Sequence, residues 1–161
     1  MQDKDSIELE IQELVAEMKS FHIATISREG WPEASYSPFL YQAPEFFIFV
    51  SALASHTNNL LSNDRCSVML IEDEARAASI HQRKRLMLNC RAVLMKQEEK
   101  EAQPVLDDMA THLGNTVSII RQLPDFKLFR LRVAEGRYVK GFGAAYQING
   151  DLVPVELIKG R

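Results

Sequence analysis

Apolar residues recur at helical spacing in two stretches of the chain and at alternate positions in several others. Ile7, Ile11, Leu14, Val15 and Met18 share one side of a helical repeat, while Glu8, Glu10, Glu13 and Glu17 point elsewhere. This predicts an N-terminal amphipathic helix within residues 1–20, one face docked and the other in water. Asp5 and Glu8 have capping-box spacing. A second helix follows from Ala102, Val105, Leu106, Met109, Ala110 and Leu113, with Gly114 placed to stop it.

The remaining apolar runs read as strands. Residues 21–26 form one, followed by the turn sequence Ser27-Arg28-Glu29-Gly30. The next runs through Ala34-Ser35-Tyr36-Ser37 to Pro38, which cannot donate to a sheet ladder. Further strands are expected at 46–50, 65–71 and 85–95. In the last of these Leu86, Leu88, Cys90, Ala92 and Leu94 line one face. Residues 126–133 and 137–142 read as two strands separated at Gly136. Asn149-Gly150 marks a hairpin between 146–148 and 152–157. Ser55 is expected to cap a short helix carrying Leu60 and Leu61. Consecutive strands with short turns favour antiparallel pairing, and mixed faces favour a small closed barrel. The fold class is therefore mainly β with flanking helices.

Composition narrows the class of protein. A chain of 161 residues, 46% of them apolar, suits one domain with its own core, here taken as 1–161 with a C-terminal hairpin and tail at 146–161. A net charge of -3 gives no electrostatic reason to expect nucleic acid or an acidic membrane. Cys66 and Cys90 sit in apolar runs without a Cys-x-x-Cys pattern, so reduced, buried thiols are expected. No apolar run reaches membrane-span length and the N-terminus is acidic, which predicts a cytoplasmic location.

Four segments carry candidate chemistry. Arg83-Lys84-Arg85 opens the long strand; it is either a solvated edge or a phosphate site, since an Arg fork matches phosphate oxygens. Ser51 with Ser55-His56-Thr57-Asn58-Asn59 offers hydroxyls and the free amides of a helix start, either as plain capping or as an anion cradle. Ser35-Tyr36-Ser37-Pro38 could hydrogen-bond the polar rim of a flat heterocycle or simply turn the chain. Lys140-Gly141-Phe142-Gly143 would let backbone approach a planar ring, although a Gly bulge explains it equally. His22, His56, His81 and His112 show no metal-ligand spacing, and no Gly-x-Gly-x-x-Gly or Walker sequence is present.

Five ordered segments resemble a known family. They are Ala34–Phe39, Ser67–Ala75, Arg83–Leu86, Asp125–Leu131 and Val139–Gln147. Together they are similar to the pyridoxamine 5'-phosphate oxidase-like, FMN-binding split-barrel superfamily, and within it to the haem-utilisation branch. The resemblance implies a six-stranded antiparallel Greek-key split barrel that forms a homodimer with cofactor sites at the interface. It places Ser35, Tyr36 and Ser37 beside a flavin ring, and Ser51, His56, Thr57, Arg83 and Arg85 around its ribityl phosphate. Lys140, Phe142 and Gly143 would approach from the partner chain. Asp125 matches an acidic residue associated with haem in the branch. Haem-degrading members carry an iron-ligating histidine near the C-terminus; here the last histidine is His112 and the chain ends in Arg161, whose guanidinium has no lone pair to offer. The expected function is thus an FMN-binding oxidoreductase acting on a small redox substrate. Haem binding or degradation, or non-catalytic carriage of flavin or haem, is the alternative.

Overall fold

A computed structural model describes residues 2–158. The first helix, α1 (Gln2–Glu17), leads into β1 (Ser20–Ile26), β2 (Pro32–Pro38), β3 (Leu40–Gln42) and β4 (Glu45–Ser51). After α2 (Ser55–Ser62) come β5 (Arg65–Ile71) and β6 (Arg85–Met95), then α3 (Ala102–Leu113) and α4 (Asn115–Ile120). The chain finishes with β7 (Phe126–Gly141), β8 (Ala144–Asn149) and β9 (Pro154–Ile158). All strand pairings are antiparallel, in the order β2-β1-β5-β6-β7-β4-β3, with β8 and β9 added beyond the second half of β7. The expected mainly β, antiparallel class with flanking helices is what the chain adopts, with nine strands in one sheet where six were expected.

Alternation decides which side chains go inside. In β6, Leu86, Leu88 and Cys90 are buried while Asn89 and Arg91 are exposed, because successive strand residues point to opposite faces. The inward rows of β1, β4, β5, β6 and β7 form the main core, closed by Ile7, Ile11, Leu14 and Val15 of α1. A second core lies under α3 and α4, where Val105, Leu106 and Met109 meet Phe47, Phe49 and Leu128. Aromatic rings stack in the main core: Phe21 of β1 and Phe39, between β2 and β3, lie 4.8 Å apart between ring centres.

Three local expectations change. Residues 126–141 are one strand, not two; Gly136 stays inside it, paired with Leu88 and Ile148, and the bulge falls two residues earlier, between the partners of Asn89 and Cys90. Ser55 is the first residue of α2, not its cap; Ala54 precedes the helix and gives no side-chain bond. Asp5 lies within α1, which starts at Gln2, so the capping-box reading fails there.

Candidate functional site

β7 organises the candidate residues because it pairs with different strands along its length. Near its start Phe126 faces Ser51 of β4; near its end Val139 faces Arg85 of β6. The chain leaves β4 at Ser51 and turns into α2, where Ala54 N–H and Thr57 Oγ1–H both donate to Ser51 O at 3.1 and 2.6 Å. Thr57 is fully buried by this arrangement. Ala52 N–H donates to Asp125 O at 2.6 Å, which fixes Asp125 beside the same turn. α2 lies against β1, so His56 reaches Ser35 of β2, and His56 Nδ1 shares a 2.8 Å hydrogen bond with Ser35 Oγ. Ser35, Ser51, His56, Thr57 and Asp125 therefore gather at one corner.

Partial burial lowers the His56 pKa from its ordinary 6.5, so the ring is neutral at neutral pH. A neutral imidazole carries one N–H and one lone pair. Among the described residues the only hydrogen bond of this ring is the one at Nδ1. Elsewhere in this segment Asn59 is held from inside, donating to Thr25 Oγ1 and Glu33 Oε2 at 3.0 and 2.8 Å. Asn59 thus has a supporting role in fixing α2.

The other expected residues lie apart from that corner. Arg83 Nε–H donates to Glu72 O at 2.8 Å and its Nη1 pairs with Glu74 at 3.3 Å. Arg85 Nη1–H donates to Arg83 O at 3.0 Å. These contacts lie at the far end of β7 from Ser51, and no hydrogen bond or ion pair among the described residues joins either arginine to Ser51, Ser35 or His56. Ser37 is buried and its hydroxyl donates to Pro38 O at 2.8 Å, whereas Tyr36 is exposed. Lys140 Nζ binds Glu10 Oε1 at 2.6 Å, and Tyr138 Oη–H donates to the other oxygen at 3.0 Å. Burial pushes the Glu10 carboxyl up, but these two bonds and the charges of Lys140 and Lys84 hold it below its ordinary 4.5. Phe142 is exposed and Gly143 takes a positive φ of 67°, a turn conformation that suits glycine. Asp125 was marked only by family likeness; its neighbour Ala52 carried no signal at all, since a backbone donor has no side-chain signature.

No helix among the described residues is long and apolar enough to cross a membrane.

Comparison with known proteins adds the decisive information on cofactor class. A family model described as pyridoxamine 5'-phosphate oxidase matches residues 7–140. The chain is 38% identical over 145 residues to heme oxygenase HutZ of Vibrio cholerae, covering 90% of this chain and 82% of that protein. The crystal structure of HutZ, described there as a haem storage protein, superposes with a TM-score of 0.79 at 36% identity, covering 85% of this chain and 96% of that one. Campylobacter jejuni ChuZ superposes with a TM-score of 0.82 at 32% identity, over 94% of this chain and 63% of that one. A chloroplast protein of Arabidopsis thaliana, non-canonical heme oxygenase HOZ, is 29% identical over 125 residues, 76% of this chain and 36% of its own length.

These relatives overturn the expectation of FMN and of an FMN-dependent oxidoreductase, because HutZ and HOZ are named for haem. Arg83 is engaged by the Glu72 carbonyl and the Glu74 carboxylate. By the extent of the family match and the identity to HutZ, the chain belongs to the pyridoxamine 5'-phosphate oxidase family, in its haem-utilisation branch.

Proposed function

We propose that this protein binds haem, at a site that includes the corner formed by β2, the end of β4 and the start of α2. The observation that carries the reading is the 38% identity to HutZ over nine-tenths of the chain. The donor set fits the group. In the tautomer that donates Nδ1–H to Ser35 Oγ, His56 keeps a lone pair on Nε2, the kind of atom that ligates haem iron. A hydroxyl behind an imidazole fixes its ring orientation and tautomer. Burial keeps the ring deprotonated, so a proton does not compete with iron near neutral pH. Asp125 is held at the same turn through its backbone carbonyl, which accepts from Ala52 N–H.

Bound haem would supply the iron chemistry; the chain would supply the ligand, the orientation and the exclusion of water. Haem also carries two propionates, which need cations. Arg83 and Arg85 are the candidates, yet they lie at the other end of β7. A homodimer resolves this separation if the arginine end of one protomer faces the His56 corner of its partner. We therefore extend the proposal to a homodimer with composite sites.

Titration with haemin, followed by the Soret band, tests binding. A saturable Soret shift is expected, and His56→Ala should change the spectrum of the complex as well as its affinity. Unsaturable uptake without a Soret shift would remove the proposal. Degradation, as in the names of HutZ and HOZ, is a separate question: incubation of the haem complex with ascorbate and oxygen would bleach the Soret band in an oxygenase and leave it intact in a storage protein.

A further inference from the structure

β5, β6 and β7 place three arginines side by side. Arg65 is the direct cross-strand partner of Arg91, and Arg91 is the partner of Arg132. Partners opposite each other project from the same face, so the three guanidinium groups share the outer face of the sheet. Like charges in this arrangement repel. Carboxylates answer two of them: Asp64 pairs with Arg91 at 2.8 Å and Glu45 with Arg132 at 3.4 Å. Glu45 also lies 3.6 Å from Arg130, which has a closer partner of its own in Glu101 at 2.8 Å. Arg65 bonds only to the Asn63 amide oxygen, and has no ion pair among the described residues. Arg65 is thus the cation of the row without a carboxylate partner among the described residues, and Glu135, opposite Asn89, is the next carboxylate on the same face.

Beside this row lies a cleft of about 410 Å³. Among the described residues Arg65 and Arg91 are the only charged groups that line it, and Ala24, Ile26, Pro32 and Ala134 give it an apolar wall. Its shape follows from the β7 bulge. Asn89 pairs with Glu135 and Cys90 with Val133, which leaves Ala134 as the extra residue at the cleft. An apolar wall with two convergent cations is the usual composition of a site for a small organic anion.

We propose that this cleft binds a small organic carboxylate with an aromatic or aliphatic body. The carboxylate would lie between Arg65 and Arg91 and the body would rest on Ala24, Ile26 and Pro32. These residues differ from those of the His56 corner, so the site does not depend on the haem reading. Occupation would relieve the repulsion in the arginine row, with Arg91 exchanging or sharing Asp64.

The test uses the full-length protein and 8-anilinonaphthalene-1-sulfonate as a fluorescent aromatic anion. Displacement is measured with 2-naphthoate and with its neutral amide. The naphthoate should displace the probe and the amide should not. Arg65→Gln with Arg91→Gln should weaken probe binding about ten-fold or more, while Arg121→Gln, on another face, leaves it unchanged. Ala24→Phe keeps both arginines and fills the wall at an exposed strand position; it should also abolish displacement by naphthoate. The naphthoate should raise the melting temperature of the parent and not that of the double variant. Equal probe affinity in parent and double variant, equal competition by the amide, or unaltered binding in Ala24→Phe would each overturn the assignment.

Discussion

At Gly136 a β-carbon would come within 2.5 Å of both Met87 O and Leu88 Cδ2. The backbone of β6 cannot move away without breaking its ladder, so Gly136→Ala should cost about 1–3 kcal/mol by overpacking. Urea unfolding of parent and variant measures this directly. The same glycine explains a limit of the sequence. Within a strand a glycine suggests an ending or a bulge, yet Gly136 is neither: it pairs regularly with Leu88, and the extra residue of the bulge is Ala134. At His56 the expectation concerns protons. Its folded pKa is depressed by burial below 6.5, so the unfolded chain binds a proton first as pH falls. The associated stability is complete above 6.5 and is lost on acidification below that value. Comparing unfolding at about pH 7.5 and about pH 5.5, His56→Gln should show a smaller loss than the parent. The Ser35–His56 bond itself was not legible, because residues so distant in sequence meet only once β1, β2 and α2 have packed.

Among the elements, α1 has the clearest dual role. Ile7 and Ile11 are fully buried in the main core, while Glu10 ties the helix to Tyr138 and Lys140 on β7. Ile11→Ala should lower stability by about 2–5 kcal/mol, the range for large-to-small changes in a well-packed core, as read from a shift of the urea midpoint. Glu10→Gln should act through pH. The Glu10 carboxyl is held below 4.5, so its contribution is present above that value and fades as pH falls through the folded pKa. The variant should therefore lose less stability than the parent on acidification. Amphipathic spacing made α1 and α3 legible, and alternation gave β6 its bounds, Arg85 and Met95, but Leu94, expected in the inner row, is exposed and Met95 is buried in its place. β3 is three residues long and α4 six, too short for either period to emerge.

For the whole molecule, the arrangement of sites decides the experiment. If haem sites are composite, a chain lacking Arg83 and Arg85 and a chain lacking His56 are defective at different halves. Co-expressed as a mixed dimer, Arg83→Ala/Arg85→Ala and His56→Ala chains should recover one intact site of the two, seen as a partial return of parent-like Soret absorbance. No recovery in a verified mixed dimer would place the site within one protomer. The barrel class could be read from the succession of strands, but the separation of the two halves could not. It depends on which residues of β4 and β6 meet β7, and that register belongs to the packed sheet.

β7 also has a kinetic meaning. Its first half is held between β4 and β6, and its second half between β6 and β8, so most of its amides have neighbours on both sides. Opening such a strand requires at least two ladders to part together. Its central amides, around Leu131 and Tyr138, should therefore exchange with deuterium only when the entire fold opens. Those of β3 and β9, at the margins of the sheet, should exchange through local fraying. The most protected segment would then be the one that links the two ends of the proposed site, so the separation between them would persist through every fluctuation short of unfolding.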